Sequence, residues 1–313
     1  MILPIKLEPS PTNDVKFVEW MLHNTCNYDC KFCGSQYKDG SHRWLSLDLY
    51  KTYTDNIINA CGGSPAWFQI TGGEPTLYPD LLELLSYIKG KGIYTSLISN
   101  GSRTLRWWEE LKNADVLDIL FVTYHTNQLS EHSHIVEVLN LFHDKPVETI
   151  CLITYDQETI DRAIEAKKNI IENTGATVLV KVMSSDKMIY KDDQFNQIGT
   201  IASNQQKKLS KKKSTVPVNH AMANNIKLTF DNDTIRHTTP QYLLKTNANS
   251  FFNWKCNAGI DNVRILVDKV YRGVCEEGGV QTTLDNFKFN TDHIICKKKS
   301  CVCHTDIVIK KER

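Results

Sequence analysis

The first 183 residues alternate between two hydrophobic periods, and this alternation confines the chain to a small set of folds. Apolar runs at Val15–Leu22, Ala66–Ile70, Ile93–Ile98, Val116–Tyr124, Glu148–Tyr155 and Thr177–Met183 read as six strands. Helical segments at about 46–60, 79–89, 105–112, 130–142 and 156–173 fall after or between them. Ser46 and Asp48 suit the start of the first helix, and Gly92 suits the end of the second. Strands that alternate with helices pair in parallel through right-handed crossovers. Continuous apolar strands imply a sheet covered on both faces. A doubly wound sheet and a partial barrel both satisfy this α/β pattern.

After Met183 the pattern changes. Residues 184–250 are rich in Asn, Lys, Gln and Thr, with a helix expected near Gln194–Ser203 and a strand at Ile226–Phe230. Lys207–Lys213 holds five lysines in seven residues, which suits a solvated face or a docking patch for an acidic partner. Val263–Val267 and Lys269–Arg272 read as a hairpin around Asp268. The reading divides the chain into a core (1–183), a bridging region (184–250) and a cysteine-rich module (251–313). About 14 residues precede the first strand, too few for an N-terminal peptide-recognition domain. Lys+Arg is 37 against Asp+Glu 36, so the net charge of +1 gives no general pull toward nucleic acid or a membrane surface. No apolar run approaches the roughly 18 residues of a membrane span, and the N-terminus lacks a signal-peptide pattern. A cytoplasmic protein is expected.

Ten cysteines in such a chain point to metal or redox chemistry rather than a disulfide scaffold. Cys61 and Cys151 stand alone and read as small buried hydrophobes. Cys26, Cys30 and Cys33 fall in HNTCNYDCKFCGS, on the loop after the first strand. Three thiolates on one loop suit three irons of a cubane cluster. A zinc site would need a fourth ligand, for which His23 and His42 are available. Thr71-Gly72-Gly73-Glu74-Pro75 follows the second strand. Its glycines would let backbone approach a ligand closely, and Glu74 could accept from an ammonium group.

C-x3-C-x2-C after one strand and GGEP after the next resemble the radical S-adenosylmethionine (radical SAM) superfamily. Phe32 stands at that family's aromatic position, and Ser99-Asn100-Gly101 resembles its third-strand polar motif. The resemblance covers about residues 15–183 and implies a partial (β/α)6 barrel. It further implies that Cys26, Cys30 and Cys33 hold a [4Fe-4S] cluster whose open iron binds S-adenosylmethionine. Phe32, Gly72, Gly73, Glu74, Pro75, Ser99, Asn100, Tyr124 and Met183 are the implied cofactor-binding residues. Residues ending the strands face the reaction in such barrels, which makes His125 and Tyr155 the catalytic candidates, with Thr154 and Ser184 beside them. His132 and His134 fall on a helix and read as surface residues.

Cys256, Cys275, Cys296, Cys301 and Cys303 resemble the auxiliary-cluster (SPASM/twitch-like) domain of many radical enzymes. This implies a second [4Fe-4S] cluster, with a zinc ribbon as the alternative. Cys301 and Cys303, together with Cys256 and Cys275, are the favoured ligand set, and Cys296 is the substitute. The expected enzyme cleaves S-adenosylmethionine to a 5′-deoxyadenosyl radical that takes a hydrogen atom from substrate. Its electron donor would be a flavodoxin or ferredoxin. A peptide substrate is the first reading, and a nucleotide, sugar or cofactor precursor is the second. An iron–sulfur or zinc protein that binds nucleic acid would need a basic domain, which the net charge does not supply.

Overall fold

The computed structural model describes residues 3–9, 15–30, 33–125, 132–144, 147–153, 157–174, 176–182, 226–273, 275 and 282–313. In chain order the strands are β1 (Pro4–Pro9), β2 (Lys16–Met21), β3 (Ala66–Thr71), β4 (Tyr94–Ser99), β5 (Ile119–His125), β6 (Val147–Ile153), β7 (Thr177–Val182) and β8 (Ile226–Phe230). They continue with β9 (Ile235–Thr238), β10 (Lys255–Cys256), β11 (Asn262–Leu266), β12 (Lys269–Tyr271), β13 (Thr282–Thr283), β14 (Ile294–Ile295) and β15 (Lys311–Glu312). The helices are α1 (Leu47–Ala60), α2 (Leu81–Gly90), α3 (Leu105–Asn113), α4 (His132–Leu141), α5 (Gln157–Asn173), α6 (Pro240–Lys245) and α7 (His304–Ile307). The chain packs as two units: Met1–Met21 with Leu45–Gln69 and Val216–Arg313, and Leu22–Trp44 with Ile70–Thr215. β3 runs from the first into the second.

In the second unit the strands follow in the order β3, β4, β5, β6, β7. β4–β5, β5–β6 and β6–β7 pair in parallel, as the alternation with helices predicts. Apolar spacing explains the helices. α2 buries Leu81, Leu84, Leu85 and Ile88, an i, i+3, i+4, i+7 stripe. Each such burial contributes roughly 1.5–3 kcal/mol. Gly92 stops the helix at φ +77°, and its N–H bonds Lys89 O at 2.9 Å.

In the first unit the order is β13, β12, β11, β2, β3, and a second sheet runs β14, β10, β15, β1, β8, β9. α1 begins at Ser46, whose hydroxyl accepts from Leu49 N, and it buries Tyr50, Tyr53, Thr54 and Ile57. Trp20 is fully buried between Tyr50 and Phe68. Its indole N–H bonds Val267 O at 2.9 Å.

Two features depart from the sequence reading. The hairpin at Asp268 forms, but β11 adds in parallel to β2, with Asn262 opposite Phe17 and Leu266 opposite Met21. The stretch before β2 contains β1, which pairs with both β8 and β15. Its sequence PIKLEP alternates, but prolines at both ends hide it, since proline is tolerated only at strand ends and edges. The helix expected near 194–203 and the lysine run at 207–213 lie outside the described residues. No helix among the described residues is long and apolar enough to cross a membrane.

Candidate active site

The cysteine loop leaves β2 and is folded on itself by one buried residue, Asn24. Its Nδ2 donates to Gln36 O (3.0 Å), Asp39 Oδ1 (2.7 Å) and Ser41 Oγ (3.0 Å), and its Oδ1 accepts from His42 N (2.8 Å). Nothing in the spacing of the cysteines announced this residue. Inside the loop, Tyr28 N approaches Cys26 Sγ at 3.4 Å, and Cys33 N donates to Cys30 O at 3.1 Å. Cys30 is buried, whereas Cys26 and Cys33 are half-buried. Cys26, Asn27, Tyr28, Asp29 and Lys38 line a cleft of about 350 Å³. Lys38 Nζ donates to Cys30 O at 2.8 Å and pairs with Asp29.

Burial pushes the Cys26 and Cys33 thiols up from their ordinary range, and Lys38 draws Cys33 partly back. Thiols in this setting ionise only when a bound cation compensates the thiolate, and three soft donors on one loop suit iron. Among the described residues no three His, Cys, Asp or Glu side chains converge on a point for a single ion. His23 is not placed as a fourth zinc ligand: its Nδ1 accepts from Thr25 N at 3.1 Å. Cys26, Cys30 and Cys33 bring three soft sulfur donors to this loop.

The two glycines after β3 meet protein, not open space. Gly73 N donates to His23 O and Glu74 N to Thr25 O, both at 2.8 Å. A Cβ on Gly73 would lie 2.2 Å from Thr25 O, and one on Gly72 would lie 2.8 Å from His23 O. The GGEP segment is thus pressed backbone to backbone against the cysteine loop. Pro75 opens a buried turn behind it.

Glu74 is only 1% exposed. Its Oε1 accepts from Thr76 N (3.2 Å), Thr76 Oγ1 (2.6 Å) and Ser99 Oγ (2.8 Å), and its Oε2 from Asn100 N (2.7 Å). Burial raises its pKa, and these donors pull it back. Asn100 Nδ2 reaches Asn27 Oδ1 at 2.9 Å, and Asn27 Nδ2 reaches Ser102 Oγ at 2.8 Å. The loops after β2, β3 and β4 are stitched together through Glu74, Ser99 and Asn100.

His125, at the end of β5, sits beside the cysteines, with Nδ1 3.3 Å from Cys30 Sγ and the Tyr28 ring edge-on at 5.4 Å. Burial lowers its pKa to about 4. Tyr124 is buried and stacks on His132, whose Nε2 is 3.1 Å from its hydroxyl. His134 Nε2 lies 3.0 Å from both Gly101 O and Arg103 O. Neither histidine is a free surface residue, contrary to the sequence reading. α4 turns both toward the strand ends, a direction that helical spacing alone does not give. Phe32, Thr154, Tyr155, Met183 and Ser184 lie outside the described residues.

In the first unit, Cys256 and Cys301 are buried, and Cys275, Cys296 and Cys303 are half-buried. Cys301 packs with Phe251, Trp254, Ile307 and Val308, with Cys296 against the same cluster. Cys275 N donates to the buried Asp306 at 3.2 Å. Burial pushes the Cys301 thiol to about 12 and Cys303 to about 11. No disulfide forms among these five cysteines. Cys61 is buried near Lys16, as a packing residue would be, and the side chain of Cys151 lies outside the described set.

The sequence profile of the Radical SAM superfamily matches residues 20–182, just over half of the chain. A probable GTP 3′,8-cyclase of Pyrobaculum aerophilum is 32% identical over 124 residues, 39% of this chain and 38% of that protein. An S-adenosylmethionine-dependent nucleotide dehydratase of Selenomonas ruminantium is 35% identical over 86 residues, 27% of this chain and 30% of that protein. The chain thus spans little more than a third of the curated relatives it matches. In fold it is similar to Streptococcus suis SuiB bound to the precursor peptide SuiA, with a TM-score of 0.57 and 13% identity over 86% of this chain and 62% of SuiB. That likeness fits a partial rather than a closed barrel. The matched span takes in the cysteine loop, the glycine clamp and the strand ends described above, and the chain belongs to the radical SAM superfamily.

Proposed function

We propose that Cys26, Cys30 and Cys33 hold the [4Fe-4S] cluster that the family implies, and that S-adenosylmethionine lies over the loops after β3 and β4. The observation that carries this is the clamp of Gly72 and Gly73 onto residues 23–25, which fixes the cysteine loop in place. When bound, the cluster and S-adenosylmethionine together supply a 5′-deoxyadenosyl radical by one-electron cleavage of the sulfonium C–S bond. Around them this chain's residues orient and shield. Glu74 positions Ser99 and Asn100, and offers its less-used oxygen toward the cofactor's ammonium. His125, held neutral by burial, closes the cysteine loop on the side of β5. Tyr124, and with it Tyr155 and Met183, would face substrate or cofactor. Phe32, at the motif's aromatic position, is carried over as a cofactor-binding residue.

Residues 1–183 act in this reading as the radical core, and 251–313 as an auxiliary module. Cys256, Cys275, Cys301 and Cys303, with Cys296 as substitute, hold a second [4Fe-4S] cluster. A flavodoxin or ferredoxin in the cytoplasm supplies the electron. The substrate is a peptide. Support comes from the likeness to SuiB, which extends over 86% of the chain and so takes in much more than the core. A nucleotide is the second reading, favoured by the higher identity to the nucleotide dehydratase and the GTP cyclase. To separate them, the reduced enzyme is given S-adenosylmethionine with deuterated nucleoside triphosphates, or with deuterated peptides encoded beside its gene. Deuterium in 5′-deoxyadenosine from peptides alone supports the first reading; deuterium from nucleotides alone overturns it.

A further inference from the structure

Lys311 is only 2% exposed, unusual for a lysine. Its Nζ donates to three carbonyls at the end of α7: Asp306 O at 2.6 Å, Ile309 O at 2.8 Å and Ile307 O at 3.4 Å. It also lies 5.1 Å over the Phe251 ring. Among the described residues no carboxylate reaches it within ion-pair distance, although other lysines such as Lys6, Lys16, Lys89 and Lys112 are so paired. A buried ammonium is costly unless a full counter-charge stands near it, and carbonyl dipoles supply only part of one.

The buried Asp306 carboxylate feels this charge from beyond ion-pair distance, and so do two sulfurs, Cys256 and Cys301, which a bound cluster would make anionic. In the β10–β15 ladder Cys256 stands directly opposite Lys311, so the two side chains leave the same face of the sheet. Phe251, which carries the ammonium on its ring, packs in one cluster with Cys301, Ile307 and Val308. The three carbonyls fix Nζ, so the charge cannot swing out to water as an exposed lysine's would. Lys297, Lys298 and Lys299 are near in sequence but exposed, and solvent screens them.

We infer that Lys311 is the built-in counter-charge of the auxiliary cluster, a positioning residue that raises the reduction potential of a cluster held by Cys256 and Cys301. This rests on the proposed auxiliary cluster and deepens it. Reduction adds one negative charge to the cluster, and a fixed cation beside it favours the reduced form. Lys311 touches no substrate and acts only through the cluster.

The test uses the full chain with Cys26, Cys30 and Cys33 replaced by Ala, so that the auxiliary cluster alone reports. Iron is counted first: about four per chain is the content of one cubane. Zinc without iron at that step overturns the auxiliary cluster itself, and Lys311 with it, before any potential is measured. With iron present, Lys311→Met keeps the side chain's length and removes its charge. The expected result is retained iron and at least a tenfold poorer reduction equilibrium, a negative shift of about 59 mV or more in an electron paramagnetic resonance titration. Retained iron with an unchanged potential overturns the proposal, because a lysine that only plugs the helix end would not move it. Should Lys311→Met fail to fold, the same background is labelled with [15N]lysine, with Lys255, Lys297, Lys298 and Lys299 replaced by Arg. A lysine nitrogen coupled to the reduced cluster supports the assignment, and no coupling overturns it.

Discussion

Gly73→Ala tests the clamp between the GGEP segment and the cysteine loop most directly. The new Cβ would fall 2.2 Å from Thr25 O and 2.8 Å from Asn24 C, atoms of backbone that cannot rotate away. One of the two loops must shift. The shift strains two hydrogen bonds, Gly73 N to His23 O and Glu74 N to Thr25 O, each 2.8 Å long. Overpacking costs about 1–3 kcal/mol, and two weakened hydrogen bonds cost about 1 kcal/mol each. The total is about 3–5 kcal/mol. At roughly 2.1 cal/mol/K per residue of unfolding entropy, a chain of 313 residues should lose roughly 5–8 °C in Tm. The cysteine loop moves with Thr25, so iron loading should fall, and a displacement of about 1 Å should cost on the order of 100-fold in cleavage of S-adenosylmethionine. Calorimetry and iron analysis measure both. Gly90→Ala is the control: at the end of α2 an added Cβ meets nothing within 4 Å, and Tm should hold or rise slightly. If Gly73→Ala melts with the wild type and keeps its iron, the clamp is not what holds the loop.

Replacing Cys26, Cys30 and Cys33 together by Ala should remove about four irons per chain and abolish reductive cleavage of S-adenosylmethionine; persistent 5′-deoxyadenosine would sink the assignment. Glu74→Gln puts an amide where the buried carboxylate accepts four hydrogen bonds, and should cost about 1–3 kcal/mol of stability. An unchanged melting curve with a dissociation constant about 10- to 150-fold weaker would instead assign Glu74 to the cofactor alone. His23 is fully buried, with its pKa lowered from 6.5 to about 4, so the unfolded chain binds the proton first as pH falls. Its contribution is complete above about pH 6.5 and is lost as pH falls toward 4. Relative to His23→Gln, the wild type should lose about 2 kcal/mol between pH 7 and pH 5 in urea unfolding. Parallel pH profiles for the two would refute this.

The local chemistry of the sequence determined the alternation of strands and helices from β2 to β7, because amphipathic periods and end signals act over a few residues. It also determined the two motifs, since Cys26, Cys30 and Cys33 sit on one loop and Gly72-Gly73-Glu74 directly follows a strand. What those motifs touch was decided elsewhere. The glycines read as room for a ligand, yet the backbone that fills that room belongs to residues 23–25, about fifty positions earlier. Asn24 gained its role when the loop after β2 folded back on itself, and His132 and His134 gained theirs when α4 met the end of β5 and the loop after β4. β1 became a strand by pairing Lys6 with Glu312 at the far end of the chain, and the Asp268 hairpin joined β2 across some 245 residues. Lys311 looks in sequence like one more charge in a basic tail. Only the β10–β15 pairing and the carbonyls of α7 bury it beside Cys256, because a two-residue strand has no period of its own and takes its place from its partners.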